Sequence, residues 1–349
     1  MTELNGRGAE PFAADWTPGE PKGRGADWTA FVPADPPQGR RRSDEGRRRL
    51  ESGPEASWEN TAGLVERSAA AYAAAVPVTP QDDGFFGPAS VTWRVSADLS
   101  APVAGLRALM VQALHPLAMA GVDQHSDWRT DPVGRLAATS AYEVTVTFGD
   151  RASARRVAAR VKAIHERVRG VDTVTGLPYA AGDPALLLWV HAGLVDSGLA
   201  ASALFGTPLT AADADAYVAE MTVAAELLGV PREMIPDSVA ALKRYFAAVL
   251  PDLDCTPAAV QSMGYLLDPP GLDEDIAELW QDIRDAVVTA LPDWARDMYG
   301  YPAPPPLTAG RRTEIRQALG VLDAVFLGEP GVLEARQRLA VRMRSAGKK

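Results

Sequence analysis

The sequence is poor in the residues that most readily announce a chemistry. Of 349 residues one is cysteine, Cys255, and four are histidine. A single thiol excludes an intrachain disulfide and any zinc or iron–sulfur site built from several cysteines, and it fits a reducing cytoplasm. No stretch approaches the roughly 18 uncharged apolar residues of a membrane span, so no span is expected. Two arginine triplets, Arg40 to Arg42 and Arg47 to Arg49, lack the apolar segment that an export signal needs after them; Leu50-Glu51-Ser52-Gly53-Pro54 follows instead. Phosphate loops, GxSxG elbows and HExxH helices are missing, which removes the main support for the commonest kinase, hydrolase and metalloprotease readings. A net charge of −10 argues against nucleic acid and against anionic membranes as default partners.

What remains is the composition of a globular protein, 47% hydrophobic and 23% charged, in a chain long enough for one large domain or two ordinary ones. Residues 1–57 are rich in Gly, Pro and Arg, with Trp16 and Trp28 as scattered apolar anchors, and read as a disordered or loosely draped tail. A helical pattern begins at Trp58. The segment from Phe85 to Val95 has some strand character, from Val91, Thr92 and Trp93. Beyond Pro102 the chain reads as helices punctuated by Pro, Gly and Asp, over about 102–121, 133–147, 151–169, 184–205, 211–228, 237–249, 257–267, 273–290, 309–327 and 331–345. Asp150, Asp183, Thr210, Asp237, Thr256 and Thr308 stand where N-caps belong. The expected fold is all-α: a helical domain over 58–300, then a Pro-rich connector and a C-terminal helical pair over 301–349 packed on it.

The stretch from Met110 to Thr139 carries the most chemistry. A helix rich in small residues lets a flat ligand approach its backbone, and the loop expected after it, from Asp123 to Pro132, is crowded with polar groups. All four histidines, His115, His125, His165 and His191, fall in one quarter of the chain. His165 lies on the apolar stripe of its helix with Ala154, Val157, Ala158, Val161, Ile164 and Val168, and His191 sits in a helix apolar nearly all round. Both are expected to be buried, as satisfied core residues or as ligands. His115 precedes Pro116, where the helix should kink or end, and it is open to a structural or a catalytic reading. His125 with Asp123 and Asp127 is a candidate loop metal site, or a set of turns and caps. Arg135 and Thr139, four residues apart, share a helix face able to orient an oxygen species or a carboxylate; alternatively Arg135 pairs with Asp131 while Thr139 bonds back to the helix.

Several of these pieces resemble the rubber oxygenase (latex clearing protein) and mycophenolic-acid-pathway oxygenase family. They are Gly87-Pro88 with Ser90-Val91-Thr92-Trp93-Arg94-Val95, Gln112-Ala113-Leu114-His115-Pro116, Asp131-Pro132 with Gly134-Arg135 and Thr139, His165-Glu166-Arg167-Val168-Arg169-Gly170, and Trp189-Val190-His191. The resemblance runs from about Gly87 to Val325 and is closest to a bacterial branch distant from the true rubber oxygenases. It implies an all-α catalytic domain around a buried heme b, with His165 as proximal iron ligand and Arg135 and Thr139 on the distal side. The family's rubber enzyme has a Lys immediately before the Thr, and here that position is Ala138. Arg129 is a further candidate, as partner of the heme propionates, and His115 and His191 complete the expected cofactor-binding set. The implied protein is a cytoplasmic, heme-dependent oxygenase acting with dioxygen on a small apolar or natural-product substrate, its oligomeric state open. Two other readings stand beside it: a non-heme metal enzyme using His115, His125 and Asp127, and a cofactor-free all-α scaffold that works through partners.

Overall fold

The computed structural model describes residues 82–129, 132–269 and 274–326. The expectations for the tail over 1–57, for a helix from Trp58 and for a helix over 331–345 lie outside those residues, as does Asp131. Among the described residues are α1 (Val91–Ser96), α2 (Ala101–Ala113), α3 (Pro116–His125), α4 (Pro132–Phe148), α5 (Arg151–His165) and a hairpin of β1 (Arg169–Val171) with β2 (Pro178–Ala180). Then come α6 (Pro184–Leu204), α7 (Ala211–Leu228), α8 (Val239–Val249), α9 (Pro257–Leu267), α10 (Glu274–Ala290), α11 (Asp293–Tyr299) and α12 (Ala309–Phe326). The fold is all-α apart from that small antiparallel hairpin.

At the centre lies α6. Asp183 caps it by accepting from the Ala185 amide at 2.8 Å, Pro184 opens it, and an almost wholly apolar sequence commits it to the interior. It packs along α2. By length and composition α6 could cross a membrane, but 72% of its apolar window is buried inside the fold, as in a core helix. Met110, Leu114, Trp189, Phe205, Ile283, Ile315 and Leu319 form one buried cluster, so α12 shares the core of α2 and α6. Within it Arg107 is 2% exposed and fully engaged, donating to Asp196 (2.6 Å), the Ser197 hydroxyl (2.6 Å) and the Ala290 carbonyl (2.7 Å).

The helix expected over 102–121 is two helices, α2 and α3, bent by 104° at His115-Pro116. Proline removes an amide donor and holds His115 in an extended conformation. The carbonyls near the end of α2 are taken by distant partners: Met110 accepts from the Tyr299 hydroxyl (2.8 Å), Gln112 from the Trp189 indole (2.9 Å) and Leu114 from the Asp254 amide (2.8 Å). Three separate parts of the chain therefore hold the bend.

Other expectations change. The strand-like segment around Val91 is the helix α1: Ser90 accepts from the Trp93 amide (3.1 Å), and Glu220 of α7 accepts from the amides of Val91 (3.2 Å) and Thr92 (2.8 Å). A tertiary carboxylate at the helix N-terminus outweighs the β-preference of Val, Thr and Trp. The helix expected over 151–169 ends at His165, and the chain turns into β1. The cap of α8 is Ser238 rather than Asp237, and α11, between Pro292 and Gly300 at φ +71°, is an additional helix. Asp150, Asp183, Thr210 and Thr256 cap as expected.

Candidate functional site

The site is built on the antiparallel pair α4 and α5. The C-terminal end of α4 is anchored: Trp93, wholly buried, stacks edge-on against Phe148 at 5.2 Å and donates to the Thr147 carbonyl at 2.8 Å. Gly149 and Asp150 make the turn, and Asp150 caps α5 by accepting from the Ser153 amide at 2.7 Å. Arg135 lies fifteen residues before Asp150 and His165 fifteen after it. With the same rise per residue on both helices, roughly 22 Å on each arm, the two side chains come to the same height at the far end of the pair. Consistent with this, the positive charge of Arg135 is felt at His165, where it adds to burial in lowering the imidazole below its usual range.

Along α4, Arg135, Thr139 and Glu143 recur every four residues and form one stripe. The Arg135 guanidinium donates to the Thr139 hydroxyl at 3.1 Å, and that hydroxyl donates back to the Arg135 carbonyl at 3.0 Å. Thr139 thus fixes the guanidinium while holding its own proton in the helix. Four residues deeper, burial pushes the Glu143 carboxyl up to about 7, with no compensating hydrogen bond among the described residues. The Tyr142 hydroxyl beside it is buried without a partner, and Tyr217 of α7 feels the charge of Glu143.

Arg135, Tyr142, Glu143 and His165 all keep surface that a water-sized molecule can reach. Yet each lies deep enough in the protein for burial to shift its titration. Side chains along the seam between two packed helices meet both conditions, and in the reading proposed below this seam is the wall of a recess. His165 presents a buried Nδ1 with no hydrogen-bond partner, and its lowered basicity keeps the ring neutral, the form in which imidazole binds a metal.

The other expected residues sit apart from this stripe or are already engaged. His191 is 9% exposed on α6, and burial brings it down to about 4, so it too is neutral. His115 stands at the α2–α3 break, its ring centroid 5.9 Å from that of Trp189, with Nδ1 buried and unpartnered. Burial lowers His115 while Asp252 opposes the shift. The carbonyls freed by the break are satisfied elsewhere, so bonding them is not its role. His115 lines a cleft of about 660 Å³ with Leu117, Gly170, Tyr179, Asp183 and Leu186.

Arg129 is held by Asp123 (2.6 Å), by Gln261 (3.1 Å) and over the Trp128 ring at 4.3 Å, so protein groups take up its donors. His125 is the last residue of α3 rather than a loop residue, and its Nε2 is 3.1 Å from the Tyr179 hydroxyl. Among the described residues, no three His, Cys, Asp or Glu side chains converge as a metal site would require. The set His115, His125 and Asp127 is therefore not assembled. Ile164, expected on the apolar stripe of α5, is instead exposed at 42%.

Glu143 is the residue that sequence reading missed. Its signal was available, since it continues the four-residue spacing of Arg135 and Thr139 and is a carboxylate among Tyr142, Val144, Thr145 and Val146. Comparison with curated proteins and with solved structures returned no match. Residues 93–324 match a family described as the ER-bound oxygenase mpaB/B′ and rubber oxygenase catalytic domain, an interval that holds α4, α5 and α6 with Arg135, Thr139, Tyr142, Glu143 and His165. That match covers two thirds of the chain, which accordingly belongs to this family of oxygenase catalytic domains.

Proposed function

We propose that the protein is a heme b-dependent oxygenase that brings dioxygen to a small apolar or natural-product substrate. One observation carries the reading: a neutral His165 with an unpartnered, buried Nδ1 lies within electrostatic reach of Arg135, which the neighbouring helix holds in a hydrogen bond to Thr139. A helical wall of this kind suits a flat macrocycle, and a half-buried neutral imidazole suits its iron. The residues present therefore fit the group. His165 would hold it, with His115 and His191 as further neutral imidazoles on the neighbouring helices α2–α3 and α6. When bound, the heme supplies oxygen-binding and one-electron chemistry at iron that no side chain here provides.

The chain's own groups supply position and protons. Arg135, oriented by Thr139, presents fixed N–H donors where negative charge on oxygen would develop. Glu143, which exchanges its proton around neutral pH where an ordinary carboxyl is fully ionised, can deliver or take one further along the same stripe. With Ala138 at the position of the rubber enzyme's Lys, no ammonium from that position competes for the distal side. A cytoplasmic location belongs to the same reading; it rests on the lone Cys255, whose thiol burial pushes up to about 12.

The test is an absorption spectrum of protein expressed with heme supplied, as isolated and after dithionite with carbon monoxide. The expected result is a Soret band that shifts with carbon monoxide and is lost in His165→Ala. A colourless protein with intact helical circular dichroism overturns the reading in favour of a cofactor-free scaffold. Metal without a Soret band overturns it in favour of non-heme chemistry.

A further inference from the structure

The outer face of α5 and the hairpin after it differs from the rest of this acidic protein. Seven of the residues over 151–169 are Lys or Arg, all of them exposed, against one exposed carboxylate, Glu166. None of the seven has an ion-pair partner among the described residues; Arg151 and Arg155 lie over the Phe85 ring, Arg156 donates to the Ser153 hydroxyl and Arg169 to the Glu166 carbonyl, so each keeps its full positive charge. Between the cations runs a flat line of exposed alanines, Ala152, Ala159 and Ala163, ending at the exposed Ile164.

The hairpin that follows α5 directly in the chain adds exposed aliphatic side chains. In its register Gly170 pairs with Tyr179 on the inner side, while Val171 pairs with Pro178 on the outer side. Val171, Val174 and Leu177 are 56%, 48% and 54% exposed. The tip is stiff: the buried Asp172 carboxylate accepts from the amides of Val174 (3.2 Å) and Thr175 (2.8 Å) and from the Thr175 hydroxyl (2.6 Å), and Gly176 completes the turn at φ +72°. A rigid loop is holding apolar side chains in water, which has a cost unless something covers them.

Exposed cations without carboxylate partners, followed by projecting aliphatic residues, match the two halves of a lipid surface, phosphate headgroups above and acyl chains below. Nucleic acid would satisfy the cations but offers little to Val174 and Leu177, since single strands are bound by stacking on aromatic rings. We propose that α5 and the hairpin form a docking face for an anionic phospholipid bilayer, with Val171, Val174 and Leu177 entering the headgroup boundary. The 660 Å³ cleft is lined by Val171, Pro178 and Ala180 of the same outer face, so docking turns its mouth towards the lipid. An apolar substrate then reaches the protein from the bilayer without crossing water. The docking itself does not depend on the heme reading.

Co-sedimentation of the full chain with phosphatidylcholine vesicles, with and without phosphatidylserine, tests this. Binding is expected only with phosphatidylserine, and it should fall as salt rises. Each cation at an anionic surface strengthens partitioning about fivefold. Arg156→Glu, Arg160→Glu and Arg167→Glu together should therefore weaken binding at least roughly a hundredfold, with circular dichroism unchanged because all three are exposed. Val174→Ser with Leu177→Ser should weaken it while leaving the salt dependence intact. Absence of wild-type binding overturns the proposal. So does full binding by the triple variant, which would move the attraction to the N-terminal arginines, and so does a vesicle interaction fully displaced by single-stranded RNA with no loss in the serine variants.

Discussion

Replacing Glu143 by Gln should uncover a pH dependence of stability that the native protein conceals. Burial alone raises the Glu143 carboxyl from its ordinary 4.5 to about 7. The folded state therefore keeps a proton that the unfolded chain has lost, and stability falls as pH rises from 4.5 to 7. The loss amounts to about 3 kcal/mol, fully in place above pH 7. His191 works in the opposite direction, because burial lowers it from 6.5 to about 4. As pH falls through that window the unfolded chain takes up a proton first, so the His191 contribution, also about 3 kcal/mol, is intact above 6.5 and lost towards 4.

Between pH 4.5 and 6.5 the two slopes have opposite sign and similar size, and in the wild type they offset. In Glu143→Gln only the His191 slope remains of this pair. Stability should then rise by about 3 kcal/mol between pH 4 and 6.5 and hold its level above that. Relative to wild type the gain at pH 8 over pH 4 should approach the same figure, roughly 6 to 12 °C in Tm for a domain of this size. A buried amide without partners adds a constant offset, so the change of the difference with pH is the readout. Urea unfolding followed by circular dichroism, on heme-free protein of both forms across pH 4 to 8, measures it. Parallel curves would refute the reasoning and show that Glu143 ionises normally.

Three further outcomes follow from the packing. Gly198→Ala should destabilise by about 1 to 3 kcal/mol in thermal unfolding although alanine is the better helix former, because the added Cβ would stand 2.4 Å from the Tyr217 hydroxyl. Asp196→Asn should cost about 3 to 5 kcal/mol in urea titration, since it strips the buried Arg107 of its carboxylate while the Ser197 and Ala290 bonds cannot neutralise the charge. Glu220→Gln should cost about 1 kcal/mol and raise local amide exchange at Val91 and Thr92, the two donors that its carboxylate caps from another helix.

Helices were legible wherever caps and periodicity agreed. For α7 and α9 the expected bounds are the observed ones, because Thr210 and Thr256 satisfy the first-turn amides and Gly229 and Asp268 stop the helices locally. Legibility failed where the deciding partner is distant in sequence. The amides that make α1 a helix bond to Glu220, some 128 residues away, and no local pattern around Val91 encodes that. The three-residue strands of the hairpin are too short for alternation to register. Along α4, the pairing of Arg135 with Thr139 was legible because four-residue helical spacing is local, whereas the roles of both and of His165 were read from the family resemblance. The contacts of Arg129 with Gln261 and of His125 with Tyr179 were not legible, because those partners arrive from other elements.

The order of groups along α4 sets the electrostatics of the recess. Arg135 stands at the open end, and although burial lowers its pKa it remains protonated at neutral pH. His165 and His191 are neutral there, so among these described groups it is Glu143, two turns further along α4, whose charge changes near pH 7. Below pH 7 the stripe is net positive and offers a proton at depth; above it the stripe becomes a dipole, cation outside and carboxylate inside. An anionic or oxygen-centred group is favoured beside Arg135 in both states, but near Glu143 it is favoured only in the acid state, where the carboxyl donates rather than repels. A neutral substrate end is therefore the group that fits the deep end at any pH. In the proposed oxygenase, the stripe would order a substrate with its charged or oxygen-bearing part near Arg135 and Thr139 and its apolar part beyond, towards Tyr142 and Tyr217.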